Sequence, residues 1–147
     1  MMTPEPSLFL SSPLGRELTQ ATLSQELMAQ PHWQGRYRIL MKLGNRMAKL
    51  APELQQAAAA VAGCESATWL YHYQQAGRHY FLADSDSRIV RGLLVLVLAA
   101  ANGRSAEQLA QLDLAAWFAQ LGLADHLSPS RSNGLNAVVE AILQRGG

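Results

Sequence analysis

Residues 68–86 read TWLYHYQQAGRHYFLADSD, and the fold turns on how they are read. Thr68 through Tyr73 is a run of β-branched, aromatic and apolar side chains that suits a pleated, half-buried surface. The stretch from Gln74 to Arg78 interrupts it with polar residues and Gly77, and a second strand-forming run follows from His79. Two such runs joined by a short glycine-containing segment predict an antiparallel β-hairpin. Helical signals dominate on both sides of the hairpin. The expected class is therefore α+β, with a small antiparallel sheet of about three strands flanked by helices rather than alternating with them.

Downstream of the hairpin the period changes. The segment 88–103, RIVRGLLVLVLAAANG, predicts a helix with Gly103 in its C-cap region. Its most apolar part, Gly92 to Ala101, is about half of the ~20 residues that span a bilayer, so it reads as a buried helix. Ser105 with Gln108 forms a capping-box pattern ahead of two short helices, with Asp113 as a cap and Gly122 as a stop. A last helix begins near residues 128–134, SPSRSNG, and carries Leu135, Val138, Val139 and Ile142 on one face.

Upstream, Trp33, Tyr37, Leu40, Met41 and Met47 recur at helical spacing and predict an amphipathic helix over 32–49. Thr22 with Gln25 three residues on predicts the start of a shorter helix that Pro31 ends. The alanine-rich stretch 53–63 mixes signals and reads as a short helix running into a short strand. Residues 1–20 hold Pro4, Pro6, Pro13 and Gly15 among Ser and Thr without a sustained period, which predicts a flexible arm ahead of a single domain over 21–147. The same arm lacks a basic stretch before its apolar residues and does not read as a signal peptide.

The chain has 147 residues, 49% of them hydrophobic and 16% charged, enough to bury one real core. The formal net charge is +1, with Lys and Arg scattered along the sequence, which gives little basis for a nucleic-acid or anionic-membrane partner. A single cysteine excludes an internal disulfide and fits a reducing, cytoplasmic setting.

That cysteine, Cys64, is the candidate for chemistry. A lone free cysteine ordinarily behaves as a small buried hydrophobe. Here Gly63 frees the backbone for a tight turn, and Cys64 lies between a small-residue stretch and the hairpin, where a loop thiol is the competing reading. Nothing beside it lowers its pKa, and the neighbouring Glu65 carboxylate would oppose a thiolate. A cysteine-dependent hydrolase or transferase would need His72, His79 or His126 to reach it through the fold. A non-catalytic interaction module with a structural cysteine stands as the third class. No metal-ligand spacing and no phosphate-binding glycine loop occur. Asp84-Ser85-Asp86 reads as a turn and an N-terminal cap for the helix that follows, and Trp33, Trp69 and Trp117 read as core residues.

Four separated stretches agree on a family. GCESATW (63–69), DSDSRIVRGLL (84–94), LSPSRSNGL (127–135) and Trp33-x-x-x-Tyr37 followed by Leu43-Gly44 resemble the SufE-type sulfur acceptors, in the same order and with similar spacing from about Ala21 onward. The arm containing SPLG is more similar to the CsdE branch of that family. The resemblance implies a fold related to IscU-type scaffolds, with the cysteine on a loop. It implies that Cys64 accepts sulfane sulfur from the persulfide of a cysteine desulfurase and stimulates that enzyme, whose PLP belongs to the partner; the chain itself needs no cofactor. It implies onward transfer to the iron-sulfur assembly scaffold or to another sulfur-trafficking acceptor. Arg131, Asp84 and Asp86 fall in shared motifs and become candidate supporting residues; Arg131 could stabilise a thiolate or pair with a partner carboxylate, and a salt bridge at the start of the last helix accounts for it equally well. A carrier of this kind is expected to keep its cysteine loop partly buried at rest and to swing it outward when the desulfurase docks.

Overall fold

A computed structural model describes residues 3–146. Its elements run α1 (Pro6–Leu10), α2 (Gln20–Met28), α3 (Trp33–Leu43), β1 (Thr68–Gln75), β2 (Arg78–Ser85), α4 (Arg88–Ala101), α5 (Ala106–Ala110), α6 (Leu114–Gln120) and α7 (Pro129–Gly146). The helices surround one antiparallel sheet, as the class α+β requires. Among the described residues no helix is long and apolar enough to cross a membrane.

The hairpin forms where its composition places it. Thr68 pairs with Ser85 and Gln75 with Arg78, leaving Ala76 and Gly77 as a two-residue turn. The sheet has two strands rather than about three. The missing strand is reduced to one bridge between Ala60 and Trp69, because the alanine-rich stretch before it curls into 3-10 turns at Pro52–Leu54 and Ala57–Ala59. Alanine has little preference for a pleated surface, so no ladder extends from that bridge.

Helix α4 is the hub of the molecule. The Ser87 hydroxyl caps it by accepting the Val90 N–H, and every residue from Arg91 to Ala101 is buried. A helix that is apolar all round belongs inside, against other elements on several sides. Helices α2, α3 and α7 and strand β2 supply those sides. Gly92 permits the closest approach, since a methyl group there would collide with the Leu40 carbonyl oxygen on α3. Leu40, Leu43, Leu70, Phe81, Val138 and Ile142 meet α4 in this main core.

The opposite face of the hairpin holds a second, smaller core, in which Tyr71 meets Phe9, Leu50, Leu54 and Ala59. The segment expected as a loose arm is packed instead: α1 lies against the sheet, and Leu14 joins the main core near Asn102. Phe9 and Leu14 are buried, and the Phe9 ring stacks on Tyr73 with centroids 5.4 Å apart. Leu8, Phe9, Leu10, Leu14 and Leu18, spread among prolines, serines and Gly15, carry no sustained period from which such docking can be read. Two helix boundaries also differ from expectation. The helix expected over 32–49 ends at Leu43, where Gly44–Arg46 tightens into a 3-10 turn. The capping box of α2 lies one turn earlier than expected, with Thr19 as the cap and Thr22 as its partner. Ser105 and Asp113 cap α5 and α6 as expected.

Candidate functional site around Cys64

The cysteine loop is closed at its base. The Val61 N–H donates to the Thr68 carbonyl at 2.9 Å, just inside the Ala60–Trp69 bridge, so the six residues from Ala62 to Ala67 project as a loop from the start of β1. The hairpin holds the loop's second leg. Ser85 Oγ donates to the Ala67 carbonyl at 2.8 Å, the Asp86 N–H donates to the same oxygen at 3.1 Å, and Thr68 Oγ1 donates to the Ser66 carbonyl at 3.1 Å. Gly63 takes φ of +88°, in the left-handed region that any side chain disfavours, and so turns the chain into Cys64.

At the tip, Cys64 is half-buried and its Sγ donates to the Gly134 carbonyl of α7 at 3.4 Å. The sulfur faces a cavity of about 570 Å³. Val90, Leu93, Leu94 and Val138 make an apolar wall. Asp86, Ser128, Ser130 and Arg131 make a polar rim. Burial pushes the Cys64 thiol up, and the Thr68 hydroxyl nearby pulls it partly back. The group therefore rests as a protonated thiol at neutral pH, which is the form that can donate to Gly134.

Two of the charged residues singled out from the sequence, Asp86 and Arg131, line this cavity, and Gly63 adjoins it. Asp84 does not. It is buried, pairs with the Arg91 guanidinium, and accepts the Leu50 N–H at 2.9 Å and the Ser85 N–H at 2.8 Å. Arg91 also donates to the carbonyls of Gly44 and Met47, so one ion pair ties β2, α4 and the segment after α3 together. Ser87 rather than the aspartates caps α4. An aspartate with a backbone N–H partner and an arginine is better satisfied in this interior than at an exposed helix end.

The histidines are elsewhere. His72 Nε2 and His79 Nδ1 lie 2.7 Å apart on the hairpin, and His126 stacks on Trp33 with ring centroids 4.3 Å apart. None lines the cysteine cavity, so no Cys-His pair of a hydrolase is assembled among the described residues. Nor do three His, Cys, Asp or Glu side chains converge there as metal ligands. Of the tryptophans, Trp117 is buried and donates its ring N–H to Ser24, while Trp33 packs at the edge of the main core and Trp69 at the edge of the second. Sequence reading missed Arg91, Thr68 and Gly134. A lone cation inside the apolar run of α4 was the available signal for Arg91. Gly134 became visible only when the fold brought α7 against the loop, and Thr68 only when the hairpin set its hydroxyl beside Ser66 and Ser85.

Comparison with known proteins bears on the family and the fold. The model of the SufE family, described as an Fe-S metabolism associated domain, matches residues 21–145. The sulfur acceptor protein CsdE of Escherichia coli K12 is 41% identical over 136 residues, covering 92% of both chains. An uncharacterised SufE-like protein of Rhizobium etli is 36% identical over 137 residues, covering 88% of this chain and 93% of its own. A solution structure of a hypothetical protein from Thermus thermophilus superposes with a TM-score of 0.68 over 86% of this chain and 91% of that one; at 14% identity it speaks to the fold alone. With the family model matched over residues 21–145 and a named sulfur acceptor 41% identical over 92% of both chains, the chain belongs to the SufE family.

Proposed function

We propose that the chain is a sulfur acceptor and carrier whose working group is Cys64, loaded by a PLP-dependent cysteine desulfurase that it also stimulates. The carrying observation is the chain's single thiol, half-buried on a closed loop and facing a cavity large enough for added sulfur. In the transfer, the Cys64 thiolate attacks the outer sulfur of the donor's cysteine persulfide. The donor's S–S bond breaks, its cysteine leaves as a thiolate, and a new S–S bond forms on Cys64. No net oxidation occurs, and the Cys64 proton is passed to solvent or to the leaving thiolate. Having no second cysteine suits the task, because a neighbouring thiol would expel the carried sulfur by closing a disulfide.

The resting thiol is protonated and half-covered, so activation accompanies exposure. The loop swings outward about its closed base when the donor docks, breaking the bond from Sγ to Gly134, and water then favours the thiolate. Arg131 and Asp86 on the cavity rim meet charged groups of the donor or steady the thiolate. A reducing compartment such as the cytoplasm keeps Cys64 available, and the sulfur passes next to an iron-sulfur scaffold or another sulfur-trafficking acceptor. Incubation with cysteine and a desulfurase is expected to add the mass of one sulfur to the intact chain and none to Cys64→Ser. A wild-type mass that stays unchanged under these conditions sinks the reading, as would ester or amide turnover without any desulfurase.

A further inference from the structure

The tip of the cysteine loop rests on bare helix backbone. Gly134 is buried inside α7, past its first turn, where glycine weakens a helix relative to alanine. Its surroundings account for it. A methyl group at this position would stand 3.5 Å from Cys64 Sγ, 3.6 Å from its Cα and 3.7 Å from its Cβ. The cysteine itself thus fills the space that a side chain would take on this face of α7. A methyl would still fit in ordinary contact, and anything longer would displace the tip. A side chain at Gly63 would in turn meet the Ala137 methyl at 3.5 Å, so the loop lies along α7 from Gly134 to Ala137. Among the described residues, the hydrogen bond that crosses this contact runs from Cys64 Sγ to the Gly134 carbonyl. That bond depends on the proton on Sγ. Adding sulfur replaces the S–H with an S–S bond and passes the proton to solvent or to the leaving thiolate, and an inner persulfide sulfur has nothing to donate. Its lone pairs then face those of the carbonyl oxygen. The outer sulfur stands about 2.05 Å farther out, so it reaches the Gly134 oxygen only if the tip shifts by a comparable distance.

We propose that Gly134 is a positioning residue that separates the empty carrier from the loaded one: its carbonyl latches the loop while Cys64 bears a thiol proton and lets it go once Cys64 bears sulfur. The proposal rests on the sulfur-acceptor reading and gives it a direction. An empty chain keeps its thiol covered, and a loaded chain holds its sulfur outward more of the time, where the next acceptor can take it. One hydrogen bond from a weak donor is at stake, which sets the scale at about a 2- to 10-fold change in the population of the open loop.

Glu65 supplies the probe, because a Glu-specific protease can cut after it only when the loop opens, and the rate then follows the open population. The full chain is compared as free thiol, as wild type loaded with one sulfur from cysteine persulfide and checked by intact mass, and as Cys64→Ser and Cys64→Ala. Each rate is normalised to a peptide of residues 60–70 carrying the same group at position 64, with cleavage after Glu107 in α5 as the internal reference. Loading is expected to speed cleavage after Glu65 about 2- to 10-fold and leave Glu107 unchanged. Cys64→Ala, with no donor, should match the loaded chain, and Cys64→Ser, which keeps one, should stay near the free thiol. Both side chains are smaller than cysteine, so packing alone would move them together. Gly134→Leu fills the seat and should be cut at the fast rate with or without sulfur. Equal cleavage of free and loaded wild type overturns the latch and leaves the acceptor reading standing. So does Cys64→Ser cut as fast as Cys64→Ala, a Gly134→Leu chain that still responds to loading, or a rise that extends to Glu107. A wild type that responds to cysteine persulfide yet gains no sulfur from cysteine and a desulfurase does the reverse, sinking the acceptor reading and keeping the latch.

Discussion

Two structures meet at the open end of the hairpin and are held in opposite ways. The Asp84–Arg91 pair is buried, and its partners come from β2, α4 and the segment from Gly44 to Leu50. The Cys64 loop leaves the same end, at Thr68, with a closed base and a tip secured by one thiol hydrogen bond to Gly134. The first is over-determined and the second is under-determined. The sulfur-carrying role proposed for Cys64 would use both: a frame that does not shift and a short segment that is free to leave it. The placement is economical, because Ser85, next to the buried aspartate in sequence, is also the residue that anchors the loop through Ala67.

Breaking the frame should cost the most. Asp84→Ala leaves the Arg91 charge buried without its carboxylate, and a loss of about 3–5 kcal/mol is expected in urea or thermal unfolding. A loss below about 1 kcal/mol would mean that the pair is not what fixes this end of the hairpin. Gly63→Ala tests the loop. Forcing a side chain to φ of +88° should cost about 1–2 kcal/mol, with hydrogen-exchange changes confined to residues 61–68. Spread of those changes into α4 would contradict the separation drawn between the two regions.

Smaller effects come from titration. At the turn-proximal half of the hairpin, burial, the nearby His79 and Arg145 hold His72 below the usual imidazole range. The folded form therefore resists a proton that the unfolded chain accepts. Its stabilising contribution is complete above the unfolded pKa of about 6.5 and is lost as pH falls below it toward the depressed folded value. Urea unfolding between about pH 7 and pH 5 should show this slope, and His72→Gln should flatten it; an unchanged slope would assign it to other groups. The smallest effect is kinetic. Because burial raises the Cys64 thiol, its alkylation rate should climb at higher pH in the folded chain than in the denatured one. Coincident profiles would mean that the loop is already open at rest.

What could be read ahead of the structure depended on period and chemistry. The hairpin, the buried α4 and the α7 face were legible because their apolar spacing matches one kind of element. Cys64 stood out as the single thiol beside a glycine within motifs shared with a family. Asp84 was misread because an aspartate ahead of a helix has an ordinary local explanation, and its partner Arg91 sits two turns away inside an apolar run. The His72–His79 contact follows from strand register. His72 lies opposite Phe81, two residues from His79, which makes the histidines diagonal neighbours once the turn is known to be Ala76-Gly77. Phe9 and Leu14 had no such rule, since Phe9 is placed by the second core on the hairpin and Leu14 by the main core and the Asn102 amide that donates to its carbonyl.

The closed base of the cysteine loop also sets a clock. A segment of six residues whose ends are already joined has little closure entropy left to lose, and loop motions of this size belong to nanoseconds to microseconds. Encounter between two proteins at about 1 μM, with association rate constants of about 10⁵–10⁷ M⁻¹s⁻¹, takes about 0.1–10 s. Opening of the loop as a donor docks is therefore fast beside the wait for the donor. Sulfur flux through such a chain is governed by collision and by how long each complex lasts, and the hinge contributes almost nothing to the waiting time.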